Sequence, residues 1–262
     1  MVERIRSKIV EIERKKNIRV INSCVSGSRS FNLHNENSDI DLRLIYVDHP
    51  DWYFKLNKDN DCFEERDGDL DIVGFNMHKS IKSIIDSNAA FHEWVKSPLV
   101  IERSITPMAG IEHFCKKFYN PLRVYHYYDK VGKTTIRELQ GERAKYGEDS
   151  LTPEMIKLIT LYVRCTLSKT LCNSFSSIPL NFSALVHDAK VPVSLKGLIC
   201  GYMDFIDTYN GTGSIEDVNV MLGSLMMFNT GIDERNIQAS EFVDPSEIFK
   251  FHRDLVIRRC GV

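Results

Sequence analysis

Ser38-Asp39-Ile40-Asp41-Leu42-Arg43-Leu44-Ile45-Tyr46-Val47 alternates polar and apolar residues and then becomes wholly apolar. Alternation with a period of two, rich in β-branched and aromatic residues, predicts a strand over about Ile40 to Val47. On such a strand Asp39, Asp41 and Arg43 share one face, while Ile40, Leu42 and Leu44 share the other. Two carboxylates held side by side repel each other unless a cation, a proton or an arginine compensates them. Their hard oxygens suit magnesium, with manganese as the alternative, because such an ion keeps several waters and takes other ligands from substrate phosphates. An isolated Asp-x-Asp pair also fits a solvated strand end, so the surrounding sequence has to decide.

Upstream, Arg19 to Val25 is short and β-branched, a second predicted strand. It stops at Ser26-Gly27-Ser28, where glycine permits a tight turn and lets backbone N–H groups approach an anion closely. Before it, residues 3 to 16 set Ile5, Ile9, Val10 and Ile12 among charges, an amphipathic helix. Downstream, Asp51 to Lys58 reads as a short helical turn, the acidic run Glu64-Glu65-Arg66-Asp67-Gly68 as a loop, and about Asp69 to Asn76 as a strand. That last strand carries Asp71 among apolar neighbours, and Asp71 completes an acidic cluster if its strand lies beside the Asp39/Asp41 strand.

Beyond it helix signals dominate: Ile81, Ile84 and Ile85, then Met155, Ile159, Tyr162, Val163 and Leu167 recur at helical spacing. Prolines 98, 107, 121, 153, 179, 192 and 245 punctuate this region, several just ahead of predicted helices. The expected plan is an α/β (α+β) portion over residues 1–105 and a mostly helical portion over 106–262.

The 262 residues carry 34 Lys+Arg against 36 Asp+Glu, so the chain as a whole is no polycation and any nucleic-acid contact must be local. Seven singly scattered cysteines, with no CxxC pair, argue against a disulfide framework and for a reducing cytoplasm. No signal-peptide core and no apolar run of membrane-spanning length is visible, so no membrane partner is expected. Walker A, GxSxG and HExxH patterns are missing. Gly132-Lys133-Thr134 imitates the end of a P-loop but lacks its earlier glycine.

Taken in order, Gly27-Ser28-Arg29-Ser30-Phe31, Ser38 to Val47, Asp51-Trp52-Tyr53, Leu70-Asp71-Ile72-Val73-Gly74-Phe75 and Glu93-Trp94-Val95-Lys96-Ser97-Pro98 resemble the polymerase-beta-type nucleotidyltransferases linked to RNA repair pathways. The likeness continues faintly through His126-Tyr127-Tyr128 and Leu161-Tyr162-Val163-Arg164 to about residue 190. One departure is that Ser30-Phe31-Asn32 stands where a glycine-containing turn is expected.

The resemblance implies a nucleotidyltransferase fold with a mixed sheet in 1–105 and a helical substrate- or nucleotide-binding portion in 106–262. It implies that Gly27 and Ser28 hold the β- and γ-phosphates of an NTP, that Asp39 and Asp41 ligate two magnesium ions for a two-metal in-line displacement, and that Asp71 ligates the catalytic ion and accepts the proton of an attacking hydroxyl. By position after His126-Tyr127-Tyr128, it implies that Lys130, Lys133 and Arg137 contact phosphate. Arg29 either reaches phosphate or is simply exposed, and Arg43 either contacts phosphate or pairs with a neighbouring acid. His34 reads as a surface residue.

Residues 116–145 hold eight Lys/Arg against three Asp/Glu, interleaved with Phe118, Tyr119, Tyr125, Tyr127 and Tyr128. This stretch is either a nucleic-acid or triphosphate surface or a helix with core aromatics and solvated cations. The expected activity is transfer of an NMP from an NTP to a hydroxyl, with an RNA end as acceptor. A protein or small-molecule acceptor and a non-catalytic NTP- or RNA-binding scaffold stay open.

Overall fold

The computed structural model describes all residues except 35–37, 57–59, 148–149, 174–181, 189, 209–214 and 260–262. Pro179, Cys260 and the end of the expected 51–58 turn therefore lie outside the described residues. The chain forms two compact units, Met1–Tyr119 with Ser240–Val262, and Asn120–Ala239.

The first unit runs α1 (Val2–Lys16), β1 (Arg19–Val25), α2 (Gly27–Ser30), β2 (Ile40–Val47), α3 (Pro50–Phe54), β3 (Cys62–Asp67), β4 (Leu70–Asn76), α4 (Met77–Ile85), α5 (Ala89–Lys96), β5 (Leu99–Arg103) and α6 (Ile105–Lys117). The second holds α7 (Pro121–Tyr146), α8 (Pro153–Leu171), α9 (Phe182–Val186), α10 (Val193–Thr208), α11 (Ile215–Thr230) and a 3₁₀ turn at Glu234–Asn236. The chain then returns to the first unit as α12 (Ser246–Arg259). Packing thus groups α6 and α12 with the sheet, whereas the sequence reading drew its line at 105/106.

The sheet has the order β3-β4-β2-β1-β5. β2 pairs parallel with β4 and antiparallel with β1, and the outer pairs β3/β4 and β1/β5 are antiparallel, so the sheet is mixed. On one face, Ile5, Ile9 and Ile12 of α1 are fully buried against Ile40, Leu42, Leu44, Leu70 and Ile72. Their spacing of four and three keeps one helical stripe on the sheet. On the other face, Cys24, Ile45 and Val47 pack with Met77, Ile81, Phe91, Trp94, Ile111, Phe114 and Ile248 from the helices. β2 alternates between the two cores, which is why its polar residues 41 and 43 fall on the second face, ahead of Ile45.

β3 corrects the reading of Glu64 to Gly68 as a loop. It is an edge strand, and charges suit an edge that faces water and resists further pairing. Gly68-Asp69, with Gly68 at φ 63, makes the tight connection to β4. β5, the other edge, was not anticipated. Pro50, Pro121 and Pro153 each occupy a first helical turn, as proline tolerates. Among the described residues no helix is long and apolar enough to cross a membrane.

In the second unit α7 lays Tyr125, Tyr128, Gly132, Thr135 and Leu139 in a buried stripe spaced three and four apart. Gly132 lies against Tyr162 and Cys165 of α8, so Gly132-Lys133-Thr134 is part of a helix seam and no phosphate loop.

His92 on α5 is buried, its ring edge-on to Tyr119 at 5.8 Å, and neither ring nitrogen has a hydrogen-bond partner among the described residues. Burial, reinforced by the Lys96 charge, pushes its pKa down from 6.5 to about 4. A histidine lowered on folding binds fewer protons in the native state than in the unfolded one. Its contribution is therefore complete above about pH 6.5 and lost as pH falls toward about 4. Across that window His92→Met should lose less stability than the wild type, by up to about 3 kcal/mol, measured as urea midpoints at pH 7 and pH 4.5.

Candidate active site

Parallel pairing of β2 with β4 sets Asp41 directly opposite Asp71. The strand bearing Asp71 thus lies where the sequence reading required it. Asp41 is mostly buried and its neighbour more open, with side-chain exposures of 26% and 41%. Burial raises the Asp41 pKa; the adjacent Arg43 pulls it down, but the nearby Asp71 and Asp39 push it up again, and the net direction is upward.

Arg43 answers the repulsion. Its Nη2 donates to Asp41 Oδ1 at 2.6 Å and to Asp71 Oδ2 at 2.9 Å, while Nη1 donates to the Asp71 and Leu42 carbonyls at 2.9 and 3.2 Å. The guanidinium also lies 5.9 Å from the Trp94 ring centroid. Of the two readings for Arg43, the ion pair is the one the geometry shows.

Asp39, just ahead of β2, is exposed and turned to Arg66 of β3, whose Nη2 donates to its Oδ2 at 3.1 Å. Arg66 stands opposite Asp71 in the β3/β4 register. Sequence reasoning missed this residue because it took β3 for a loop; with Gly68-Asp69 recognised as a hairpin turn, its position follows. The structure therefore brings Asp41 and Asp71 together and holds Asp39 on a separate arginine. Among the described residues no three His, Cys, Asp or Glu side chains are gathered to hold a metal ion. The chemistry of the Asp41/Asp71 pair fits a hard divalent cation: two adjacent carboxylates offer hard oxygens, and their repulsion, offset here by Arg43, calls for a positive partner.

Gly27 is fitted to this pair. Its φ is +64, and a Cβ there would overlap an Asp41 carboxylate oxygen and lie 2.7 Å from Asp41 Cγ. The loop is tied to β2 by Ser26 N–H donating to the Asp41 carbonyl at 2.8 Å. Ser30 Oγ closes the turn onto the Gly27 carbonyl at 2.8 Å, and Leu33 N–H donates to the Ser28 carbonyl at 2.9 Å. Asn32, at φ 60, supplies the left-handed residue where a glycine was expected, a conformation asparagine tolerates. Arg29 donates from Nη2 to the Ser38 carbonyl at 2.8 Å and from Nε to the Asp39 carbonyl at 3.3 Å, so it braces the turn against the start of β2. His34 is exposed, as read.

Lys130, Lys133 and Arg137 lie on α7 in the second unit, all exposed. Lys133 pairs with Asp129 at 2.6 Å, and the buried Lys169 takes the other Asp129 oxygen at 3.0 Å. Burial pushes the Asp129 carboxyl up, but these two lysines overcome it and lower its pKa. Of the interleaved aromatics, Phe118, Tyr119, Tyr125 and Tyr128 are buried in cores, so they offer no stacking platform.

Residues 1–200 match the sequence model of the RNA repair pathway DNA polymerase beta family. The chain belongs to that family. The resemblance read from the motifs is thereby borne out, and the mixed sheet followed by a mostly helical part is this family's polymerase-beta-type nucleotidyltransferase fold. Among curated proteins, the uncharacterized protein YcgL of Bacillus subtilis (strain 168) is 27% identical over 199 residues, 75% of this chain and 73% of its own. Among solved structures, a nucleotidyltransferase-like protein from Exiguobacterium sibiricum 255-15 aligns with a TM-score of 0.38 and 10% identity, covering 88% of this chain and 74% of that one.

Gly27→Ala should destabilise the first unit by about 2 kcal/mol or more, from the positive φ and the collision with Asp41. Asn32→Gly, which also accepts the positive φ, should stay within about 0.5 kcal/mol of the wild type. Urea unfolding midpoints of the two variants check the pair.

Proposed function

We propose that this family member transfers an NMP from an NTP to a hydroxyl at an RNA end. The observation that carries the reading is the Asp41/Asp71 pair, set face to face by parallel strands and backed by a glycine with no room for a side chain. Membership in a family named for RNA repair supports RNA as the acceptor.

In this reading the turn at Gly27 and Ser28 donates backbone N–H groups and the Ser28 hydroxyl to the triphosphate, and Arg29 keeps that turn in place. Asp41 and Asp71, together with Asp39, would hold magnesium or manganese. The ion supplies charge neutralisation at the phosphate oxygens. Asp71, the more open of the pair, takes the proton of the attacking hydroxyl, which must line up opposite the departing pyrophosphate. The sheet unit carries the chemistry; Lys130, Lys133 and Arg137, exposed on α7, are the cations proposed to meet phosphate. Among the described residues none of Cys24, Cys62, Cys115, Cys165, Cys172 and Cys200 is in a disulfide, which suits a reducing cytoplasm.

The test is transfer of label from each α-labelled NTP, with magnesium or manganese, to total RNA and total protein. The wild type should label an RNase-sensitive product. Asp71→Asn and Asp41→Asn should each lower the rate by at least about 100-fold. A protease-sensitive product would move the acceptor to protein, and NTP binding without any transfer would turn the reading into a binding scaffold.

A further inference from the structure

We propose that Arg43 is a built-in counter-cation: it holds Asp41 and Asp71 together when no divalent ion is bound and competes with that ion for both carboxylates. The inference rests on the metal-dependent reading above and adds a residue that sets how readily the pair accepts a cation.

A single nitrogen carries the argument. Arg43 Nη2 lies 2.6 Å from an Asp41 oxygen and 2.9 Å from an Asp71 oxygen, so it occupies the ground between the two acids that a bridging cation would need. It is no wandering surface group. Its side chain is only 14% exposed, its Nη1 is bonded to two backbone carbonyls, and its guanidinium lies near Trp94. Those carbonyls and that ring remain available after Nη2 lets go, so Arg43 has a resting place that does not involve the carboxylates.

Electrostatics gives the direction. A guanidinium and a divalent ion on the same two carboxylates repel each other at short range. Arg43 must therefore give up at least one acid before that acid turns its oxygen to the ion. Were Arg43 only an aligning group, its removal would scatter the carboxylates and weaken cation binding. Competition requires the opposite.

Arg66 provides the internal comparison. It also neutralises one acid of the site, Asp39, but through one exposed contact, with side-chain exposures of 67% and 54%. Exposed pairs of this kind are worth little. Removing Arg66 should therefore ease cation binding less than removing Arg43, although each change deletes one positive charge.

The experiment is a Mn²⁺ titration of the full chain without nucleotide, followed by calorimetry and by the rise in unfolding temperature. Arg43→Gln is expected to bind Mn²⁺ roughly five- to tenfold more tightly than the wild type, with a lower unfolding temperature when metal-free. Arg66→Gln should gain about twofold or less. Arg43→Lys keeps the charge but not the fork, so it should fall between the wild type and Arg43→Gln, and it serves should the glutamine variant not fold. Asp41→Asn in the Arg43→Gln background should erase the gain. Equal or weaker Mn²⁺ binding by both Arg43 variants, or a gain no larger than that of Arg66→Gln, overturns the competition while leaving the transfer reading intact. Absence of Mn²⁺ binding in every chain sinks the metal-dependent reading and the competition together.

Discussion

Asp41 and Asp71 are brought together by backbone pairing, which their own charges oppose. Parallel hydrogen bonding between β2 and β4 runs in register from Ile40 with Leu70 to Tyr46 with Asn76, and the apolar halves of both strands are buried on two faces. A slip of one residue would turn Leu42 and Ile72 out of the α1 core, so the register that juxtaposes the carboxylates is enforced by burial of the apolar residues flanking them. The repulsion at the strand start is then borne locally, by Arg43 across the pair and by a glycine that yields space to Asp41. At the start of each strand, stability comes from the face packed on α1 and chemistry from the other.

What was legible in the residues follows the same division. β1 and β2 were readable to the residue because their patterns answer to burial: α1 covers one face and α4, α5 and α6 cover the other. Asp71 was readable as a lone acid among apolar neighbours. β3 was not, because an edge strand's residues answer to water, and Cys62 to Asp67 is mostly charged. Missing β3 meant missing Arg66, and with it the reason Asp39 stands apart from the other two acids. A two-residue alternation shows which side chains share a face. It cannot show which arginine, brought in by another strand, claims each of them.

The helical unit shows the converse limit. Its cations and tyrosines alternate along α7 because a helix segregates them: the tyrosines at 125 and 128 go inward and the lysines at 130 and 133 outward. Interleaving in sequence became separation in space. The deeper electrostatic feature there, buried Lys169 sharing Asp129 with Lys133, joins residues forty apart and leaves no local signature.

The return of α12 to the sheet makes the first unit discontinuous, and this orders events in time. Ile248 is part of the core that includes Ile45, Met77, Trp94 and Phe114, and the Phe251 ring sits over Gly110, where any Cβ would overlap it. On a ribosome those residues emerge only after the whole helical unit has been made. The sheet carrying the paired acids can form its strands early, but one side of its core stays open to water until α12 arrives. Gly110 is thus a reserved seat, kept clear through the synthesis of more than a hundred residues for a ring that arrives late.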